Sequence, residues 1–376
     1  MFFVLDDPGA VYTVFEVLNS RGLSVDWLDK MKSTLMGVAF EKKRKLPIGQ
    51  LDHVENEWTE IYRVLGKEHV SDADALTIAA DLKADEVPAK GFQEGNALEF
   101  FREEARQDRL TPLETSKFLR QVVTTLDQFL EDPRHRAICR VKQPRLLAAA
   151  LLLSDRVRKD KKSQQKALVA WENAMFRSYV LAGWDARDRV GQCINLATDI
   201  CNDNLSLKQV IDELDRIATV THSEVLAELD GVDVYERWTA EEIIYFFWKY
   251  EERLSAENGE EIDQVTWGKI WEKVSKEKSV EHIFPQKDPE RNWKHKGRQG
   301  VDPDSFVHRL GNLLVLPPGI NSKAGTKCFA DKVKVYKKAK GLHHVMRIMK
   351  LRDWNLAAIE KRERELMKFA KEQWWT

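Results

Sequence analysis

The segment SVEHIFPQKDPERNW, residues 279–293, decides how the C-terminal part of this chain is interpreted. A short apolar run carries Glu281 and His282 side by side and stops at Pro285. Further along, HRLGNLLVLPP (308–318) is a second short run of the kind that is typical of a strand. A lysine-rich segment with helical spacing begins at Asn321. The sequence therefore predicts two short strands followed by a helix.

These elements are expected to bring three polar side chains together. A helix that folds back across a pair of strands places its first turn near the end of the first strand, so Glu281, His282 and Asn321 should converge. A neutral imidazole can take a proton from water near neutral pH. Carboxylate and amide oxygens are hard ligands that suit Mg²⁺ or Mn²⁺. Such an ion stabilises charge on phosphoryl oxygens, so the residue types fit hydrolysis of a phosphodiester bond.

The charge distribution points to a polyanionic partner. The whole chain has a net charge of −1, but residues 281–350 hold 15 Lys or Arg against 6 Asp or Glu, a net charge of +9. A basic segment in an otherwise acidic protein is typical of nucleic-acid binding. We expect contacts with phosphates from Lys323, Lys327, Lys332, Lys334 and Arg309.

Each of these features also has a purely structural interpretation. An adjacent Glu and His at the end of a strand are often surface residues, and the basic segment can be a solvated helix face. Asn321 before a helix is often an N-cap, and Asn312 after Gly311 is often a turn residue. Only their order, spacing and basic surroundings together favour a catalytic site.

The rest of the chain predicts a mainly α fold. From about residue 52 to 235 apolar residues recur three and four positions apart, as in TSKFLRQVVTTLDQFL (115–130). We expect a helical bundle region followed by a small ββα module embedded in helices, with domains at 1–50, 51–235 and 236–376. The sequence contains no run of about 18 apolar residues, so it predicts no membrane-spanning helix. Four cysteines without CxxC pairing favour reduced thiols in the cytoplasm.

The C-terminal motifs resemble the HNH (His-Me finger) nuclease fold, the ββα-metal motif, and more narrowly the C-terminal domain of GmrSD-type restriction endonucleases. That family combines a (D/E)-H-I-x-P-Q strand, an l-G-N-L-x-L strand and an N-s-x helix start with a lysine soon after. The resemblance covers roughly residues 236–376, and the matching positions are Glu281, His282, Ile283, Pro285, Gln286, Leu310, Gly311, Asn312, Leu313, Leu316 and Asn321.

The resemblance implies a role for each of these polar residues. His282 would be the general base that activates water, and Glu281 and Asn321 would hold the metal ion, Mg²⁺ or Mn²⁺. Asn312 would belong to the catalytic group, bracing the connecting loop through bonds to the backbone; contact with the metal is the alternative. His308 is a reserve candidate for the site. The family leaves His295 without a role, and we expect His343 and His344 at the surface.

The N-terminal segment VFEVLNSRGLSVDWLDKMKSTLM (14–36) is similar to the later part of the GmrSD N-terminal domain. It matches that pattern at Phe15, Glu16, Leu18, Asn19, Arg21, Gly22, Asp29 and Lys32. The family implies a nucleotide-handling sheet domain upstream with a D-G-Q-Q-R motif, which this sequence lacks. We therefore expect an N-terminally truncated chain, or one that works beside a partner subunit, without a nucleotide site of its own.

The function implied by the resemblance is metal-dependent hydrolysis of DNA phosphodiesters, in restriction of foreign or modified DNA. The alternative is a truncated or inactive DNA-binding partner subunit of a GmrSD-like system. A nuclease acting on RNA is a third hypothesis, although the sequence has no aromatic platform motif of the kind found in RNA-recognition domains.

Overall fold

The computed structural model describes residues 26–41, 50–229, 231–287, 293, 302, 304–339 and 341–375. Of these described residues, 71% lie in helices and 2% in strands, and the strands among them form one small sheet of two. The predicted mainly α class is confirmed. No helix in the described ranges is long and apolar enough to cross a membrane.

The chain divides into two compact units. The first unit comprises residues 1–135, 139–172 and 185–217, and the second comprises 136–138, 173–184 and 218–376. The division expected from the sequence, at 1–50, 51–235 and 236–376, stays a prediction. Phe15 to Gly22 of the N-terminal motif lie outside the described residues, whereas Asp29 and Lys32 lie on the first described helix.

The helices up to the end of the first unit begin and end as follows: α1 Trp27–Glu41, α2 Gln50–Leu65, α3 Asp72–Lys83, α4 Glu94–Arg106, α5 Pro112–Leu130, α6 Pro133–Arg136, α7 Lys142–Leu153, α8 Asp155–Arg158, α9 Lys161–Met175, α10 Val190–Cys201 and α11 Leu207–Ile217, with a π-helical turn at Phe176–Leu181.

The core of the first unit forms around α7, whose residues 146–153 are all apolar. Residues 146–151 of this helix are all buried, and α7 packs against α5 and α10. The buried Asp81 of α3 accepts a hydrogen bond from the Phe92 backbone N–H at 2.9 Å and pairs with Lys142 Nζ at 2.7 Å. This pair ties α3 to the beginning of α7. On α1, Asp29 accepts a hydrogen bond from the Tyr62 hydroxyl at 2.5 Å.

The second unit continues with helices and two strands: α12 His222–Leu229, α13 Val234–Arg237, α14 Ala240–Glu257, α15 Gln264–Glu272, α16 Lys276–Ser279, β1 Val280–His282, α17 Asp304–Val307, β2 Leu313–Val315, α18 Pro318–Ala324, α19 Phe329–Tyr336, α20 His343–Met349 and α21 Leu356–Trp374. Short 3₁₀ turns at Leu310–Asn312 and Lys337–Ala339 join neighbouring elements.

Aromatic packing holds the long helices of the second unit together. A capping box of Thr239 and Glu242 starts α14. Phe246 on this helix packs edge-on against Phe369 of α21, with ring centroids 5.6 Å apart. Phe176 of the π-helical turn stacks on Trp374, with ring centroids 4.6 Å apart. The end of α21 is therefore fixed in the core.

The two strands are antiparallel and short. Val280 pairs with Val315, Glu281 with Leu314, and His282 with Leu313. All six strand residues are buried. Helices α14 and α20 pack against β2, and α18 packs against β1. The sheet is thus enclosed by helices, and the predicted order of strand, strand and helix is present.

Candidate functional site

His282 ends β1 and lies in a cluster of aromatic and polar side chains. Its ring is 7% exposed, and its Nε2 lies 3.2 Å from Nδ1 of His308. Tyr235 packs edge-on to the His282 ring, with centroids 4.4 Å apart, and stacks on His308 at 5.4 Å. The side-chain amide of Gln286 lies 3.3 Å from both ring nitrogens of His282. The two histidines singled out from the sequence are therefore in contact.

The electrostatic surroundings keep His282 neutral. Burial lowers the pKa of His282 to about 3, and the nearby His308 and Lys332 act in the same direction. The ring is consequently uncharged at neutral pH, with a lone pair on the ring nitrogen that carries no proton. Because its Nε2 faces His308 Nδ1, one of these two nitrogens carries the proton that joins them.

Glu281 lies on the same strand but has different partners. Adjacent residues of a strand point to opposite faces, and the 4%-exposed Glu281 contacts α19 instead of the histidine cluster. Its Oε1 accepts hydrogen bonds from Lys332 Nζ and from the Tyr336 hydroxyl, each at 2.7 Å. Lys332 Nζ also donates to the backbone oxygen of His282 at 2.6 Å. A single buried ammonium therefore binds both residues of the Glu-His pair.

This arrangement differs from the expectation that Lys332 contacts phosphates. Its side chain is 0% exposed, so it cannot reach a nucleic acid from this position. Burial raises the pKa of Glu281 and lowers the pKa of Lys332, while the contact between the two opposes both shifts. The sequence contained a signal for this placement, because Phe329, Lys332 and Tyr336 are spaced three and four apart on the buried face of α19.

Asn321 on α18 is 7% exposed and is oriented by backbone groups. Its Nδ2 donates to the carbonyl oxygens of Glu277 at 3.1 Å and Val280 at 3.4 Å. These bonds attach α18 to α16 and to the beginning of β1. Glu281, His282 and Asn321 thus lie on neighbouring elements, but the contacts of the described residues give them no common partner.

Asn312 braces the connection between the strands. It is 0% exposed, and its Oδ1 accepts from the Phe284 backbone N–H at 2.8 Å and from Trp354 Nε1 at 3.0 Å. Its Nδ2 donates to the backbone oxygens of Phe284 and Val307, at 2.9 and 2.7 Å. These four hydrogen bonds occupy the amide oxygen and both amide N–H groups of Asn312. Asn312 therefore acts on this site by holding the backbone in place.

Gly311 allows α21 to approach the strand connection. A Cβ atom at this position would lie 2.3 Å from the backbone oxygen of Ile359 and 2.9 Å from Cβ of Glu363. No larger residue fits this contact without movement of α21. The glycine of the G-N-L motif is therefore explained by packing.

The other predicted nucleic-acid-binding residues differ in exposure. Lys323, Lys327 and Lys334 are exposed, although Lys334 also pairs with Asp331 at 2.6 Å. Arg309 is largely buried and bound to Glu363 of α21. Three of the five predicted cations are thus accessible to a phosphate backbone.

The histidines after α19 are not surface residues, which corrects the sequence-based expectation. His343 is 8% exposed and His344 is 1% exposed. His344 lies with Nδ1 2.5 Å from Glu251 and Nε2 2.9 Å from the backbone oxygen of Val315. This buried Glu-His pair fixes β2 to α14 and was missed by sequence reasoning. His295 lies outside the described residues.

The donor set can be tested against a divalent ion. In the described part of the chain, no three His, Cys, Asp or Glu side chains form a cluster of the kind that holds a metal. Two hard oxygens nevertheless suit a divalent ion. Oε2 of Glu281 and Oδ1 of Asn321 accept no hydrogen bond from a described residue. In both side chains the other polar atom is bonded, an arrangement that orients metal ligands in known sites.

The second unit is therefore a mainly helical domain with a two-stranded sheet that presents a buried histidine and a carboxylate–lysine pair. Residues 219–369 match the family described as GmrSD restriction endonucleases, C-terminal domain. The resemblance to this family of restriction endonucleases, which the motifs at Glu281 and Gly311 predicted, is confirmed for these residues. No curated protein matches the chain.

Proposed function

We propose that the second unit is a metal-dependent DNA endonuclease of the HNH type. The observation that carries the proposal is the neutral, buried His282 at the end of β1. A carboxylate lies beside it on the same strand and an amide lies on the neighbouring helix α18, and each keeps one oxygen without a hydrogen bond from a described residue. The family match at 219–369 supports a phosphodiester in DNA as the substrate.

In this proposal His282 accepts a proton from the attacking water. His308 orients the imidazole through the contact of 3.2 Å between its Nδ1 and Nε2 of His282. Glu281 and Asn321 would hold Mg²⁺ or Mn²⁺, and the bound ion would stabilise negative charge on the phosphoryl and leaving oxygens. Lys332 and Tyr336 keep the Glu281 carboxylate in place.

The exposed Lys323, Lys327 and Lys334 would contact the phosphates that flank the scissile bond. Such contacts release counterions, so binding should weaken steeply as salt rises. The biological role in this proposal is restriction of foreign or modified DNA in the cytoplasm, together with a partner subunit that supplies nucleotide handling.

The proposal is tested by nicking of a supercoiled plasmid with Mg²⁺ or Mn²⁺. Loss of a general base lowers the rate by about 10²–10⁴-fold, so His282→Ala should be slower by this factor. His53→Ala is the matched control, because His53 is an exposed residue of α2 in the first unit. Equal rates for wild type and His282→Ala would remove His282 from the mechanism. Duplex DNA, single-stranded DNA and RNA substrates would identify the preferred nucleic acid.

A second candidate is a DNA-binding subunit that does not cleave. It is favoured by one observation, the neutralisation of the Glu281 charge by Lys332, which weakens the attraction of this carboxylate for a cation. Salt-sensitive DNA binding without nicking in either metal would support this candidate and contradict the endonuclease.

A further inference from the structure

The contact between His282 and His308 depends on a third residue. His308 follows α17 and lies 26 residues beyond His282 along the chain. In the described part of the chain, the His308 ring makes hydrogen-bonding or ring contacts with two side chains, His282 and Tyr235. His308 is half-buried, so little else confines its ring. Tyr235 is therefore the described residue that holds His308 in place against His282.

Tyr235 contacts both histidines in well-defined geometries. Its ring lies edge-on to His282, with centroids 4.4 Å apart and ring planes at 64°, and stacks on His308 at 5.4 Å and 22°. Edge-on and stacked arrangements are the ones that aromatic rings prefer. The backbone N–H of Tyr235 also donates to the backbone oxygen of His308 at 3.1 Å. One residue thus fixes the ring and the backbone of His308 and packs against the ring of His282.

Tyr235 is itself held from several sides. It lies on α13 beside Val234, which is 0% exposed. Lys276 Nζ donates to the backbone oxygen of Tyr235 and lies 5.0 Å from the centroid of its ring. Lys276 begins α16, the helix that leads directly into β1. The hydroxyl group of Tyr235 is hydrogen-bonded to the side-chain amide of Gln286, beyond the end of β1. These contacts attach Tyr235 to the chain on both sides of β1.

We propose that Tyr235 is a positioning residue of the nuclease site and acts on His282 through His308. This inference rests on the proposed function, in which His282 accepts a proton from water. A general base must lie within about 2.6–3.2 Å of the group that gives up the proton. A misplacement of about 1 Å can lower the rate by about 10²-fold. By keeping His308 against His282, Tyr235 limits the tilt of the imidazole.

The ring of Tyr235, and not its hydroxyl, carries this role. The contacts with the two histidines are made by the aromatic ring and by the backbone N–H. Tyr235→Phe keeps these contacts and loses the hydroxyl. Tyr235→Leu keeps an apolar side chain but loses the aromatic ring. The two variants therefore separate orientation of the histidines from any contact that the hydroxyl makes with DNA.

Single-turnover cleavage at saturating DNA, measured as a double-mutant cycle with His308→Ala, tests the proposal. We expect Tyr235→Leu to be slower than wild type by about ten-fold or more. Tyr235→Phe should stay within about three-fold of wild type, because it keeps the ring contacts. In the His308→Ala background, Tyr235→Leu should change the rate by less than about two-fold, since residues that act as one unit are not additive.

Two further readouts separate positioning from a general loss of structure. DNA affinity, measured by fluorescence anisotropy, should stay within about two-fold of wild type in every variant. In NMR spectra with labelled histidine, cross-peaks between the rings of His282 and His308 should persist in Tyr235→Phe and disappear in Tyr235→Leu. Tyr62→Leu is the matched control, because Tyr62 is an exposed tyrosine of the first unit, and it should cleave DNA at the wild-type rate.

Lys276→Met provides a second variant in which Tyr235 itself is unchanged. It removes the donor to the Tyr235 backbone oxygen and the cation beside the ring. The cleavage rate should fall in the same direction as in Tyr235→Leu, and again less in the His308→Ala background. This variant tests the proposal even if Tyr235→Leu does not fold.

Several results would overturn the inference. They are additive losses in the double-mutant cycle, a wild-type rate in Tyr235→Leu, or ring cross-peaks that persist in that variant. A loss in Tyr235→Phe as large as in Tyr235→Leu would assign the role to the hydroxyl and also overturn it. No cleavage by the wild type would contradict the proposed function and this inference together, whereas cleavage with additive losses would contradict this inference alone.

Discussion

Replacing Lys332 by methionine separates the buried ion pair from the rest of the sheet. Methionine keeps an unbranched side chain of similar length but removes the ammonium. Two contacts are lost, one of 2.7 Å to Glu281 Oε1 and one of 2.6 Å to the backbone oxygen of His282. Glu281 keeps only the Tyr336 hydroxyl as a donor among the described residues and remains 4% exposed.

Breaking a buried ion pair on one side costs about 3–5 kcal/mol, because the remaining charge stays buried without its partner. We expect Lys332→Met to lower the free energy of unfolding by about 3 kcal/mol, since Tyr336 retains part of the stabilisation. The double variant Glu281→Gln/Lys332→Met removes the uncompensated charge. It should be more stable than Lys332→Met by at least about 1 kcal/mol, a coupling typical of residues in contact.

Urea unfolding followed by tryptophan fluorescence measures these differences, with the midpoint and the slope fitted separately. Lys334→Met is the control, because this lysine is 73% exposed on the same helix and pairs only at the surface. It should change the free energy of unfolding by no more than about 0.5 kcal/mol. The reasoning is refuted if Lys332→Met matches this control, or if the double variant is no more stable than Lys332→Met.

Two further predictions concern the sheet and its histidine. Gly311→Ala should destabilise the protein by about 2 kcal/mol or more, because the added Cβ would lie 2.3 Å from the backbone oxygen of Ile359. At Gly319 an added Cβ meets no atom within 4 Å, so Gly319→Ala should be neutral. Equal unfolding midpoints for Gly311→Ala and Gly319→Ala would contradict this prediction. In NMR titrations the His282 ring should show no protonation between pH 5 and 8, because its pKa is about 3. Since this pKa lies below the unfolded value of about 6.5, its contribution to stability is complete above about pH 6.5. It is lost as pH falls towards 3, by up to about 1.4 kcal/mol per unit. A ring that titrates near 6.5 in the folded protein would rule out this environment.

The sequence was sufficient to predict the mainly helical class and the two strands, because their patterns are local. Apolar spacing of three and four predicts helices, and Pro285 and Gly311 limit the runs that become β1 and β2. The contact between His282 and His308 was not derivable, because it depends on how the connection after β1 folds back. His308 entered the prediction only as a reserve candidate.

The roles of the lysines could not be read from charge alone. Lys332 and Lys334 are two positions apart in FADKVKVY, but one is buried and the other is exposed. Which of them faces the sheet depends on the rotation of α19, and that rotation is set by packing of Phe329 and Tyr336. His344 is similar: it was expected at the surface, yet Glu251 on a distant helix provides a buried partner.

The most direct test of whether residues of β1 and α18 form one metal centre is calorimetric binding of Mn²⁺, measured together with single-turnover DNA cleavage. The wild type should bind Mn²⁺, and Asn321→Ala should bind it about ten-fold or more weakly. His282→Ala should bind Mn²⁺ as the wild type does, yet cleave DNA about 10²–10⁴-fold more slowly. Unchanged Mn²⁺ affinity in Asn321→Ala, or cleavage by His282→Ala at the wild-type rate, would contradict the account.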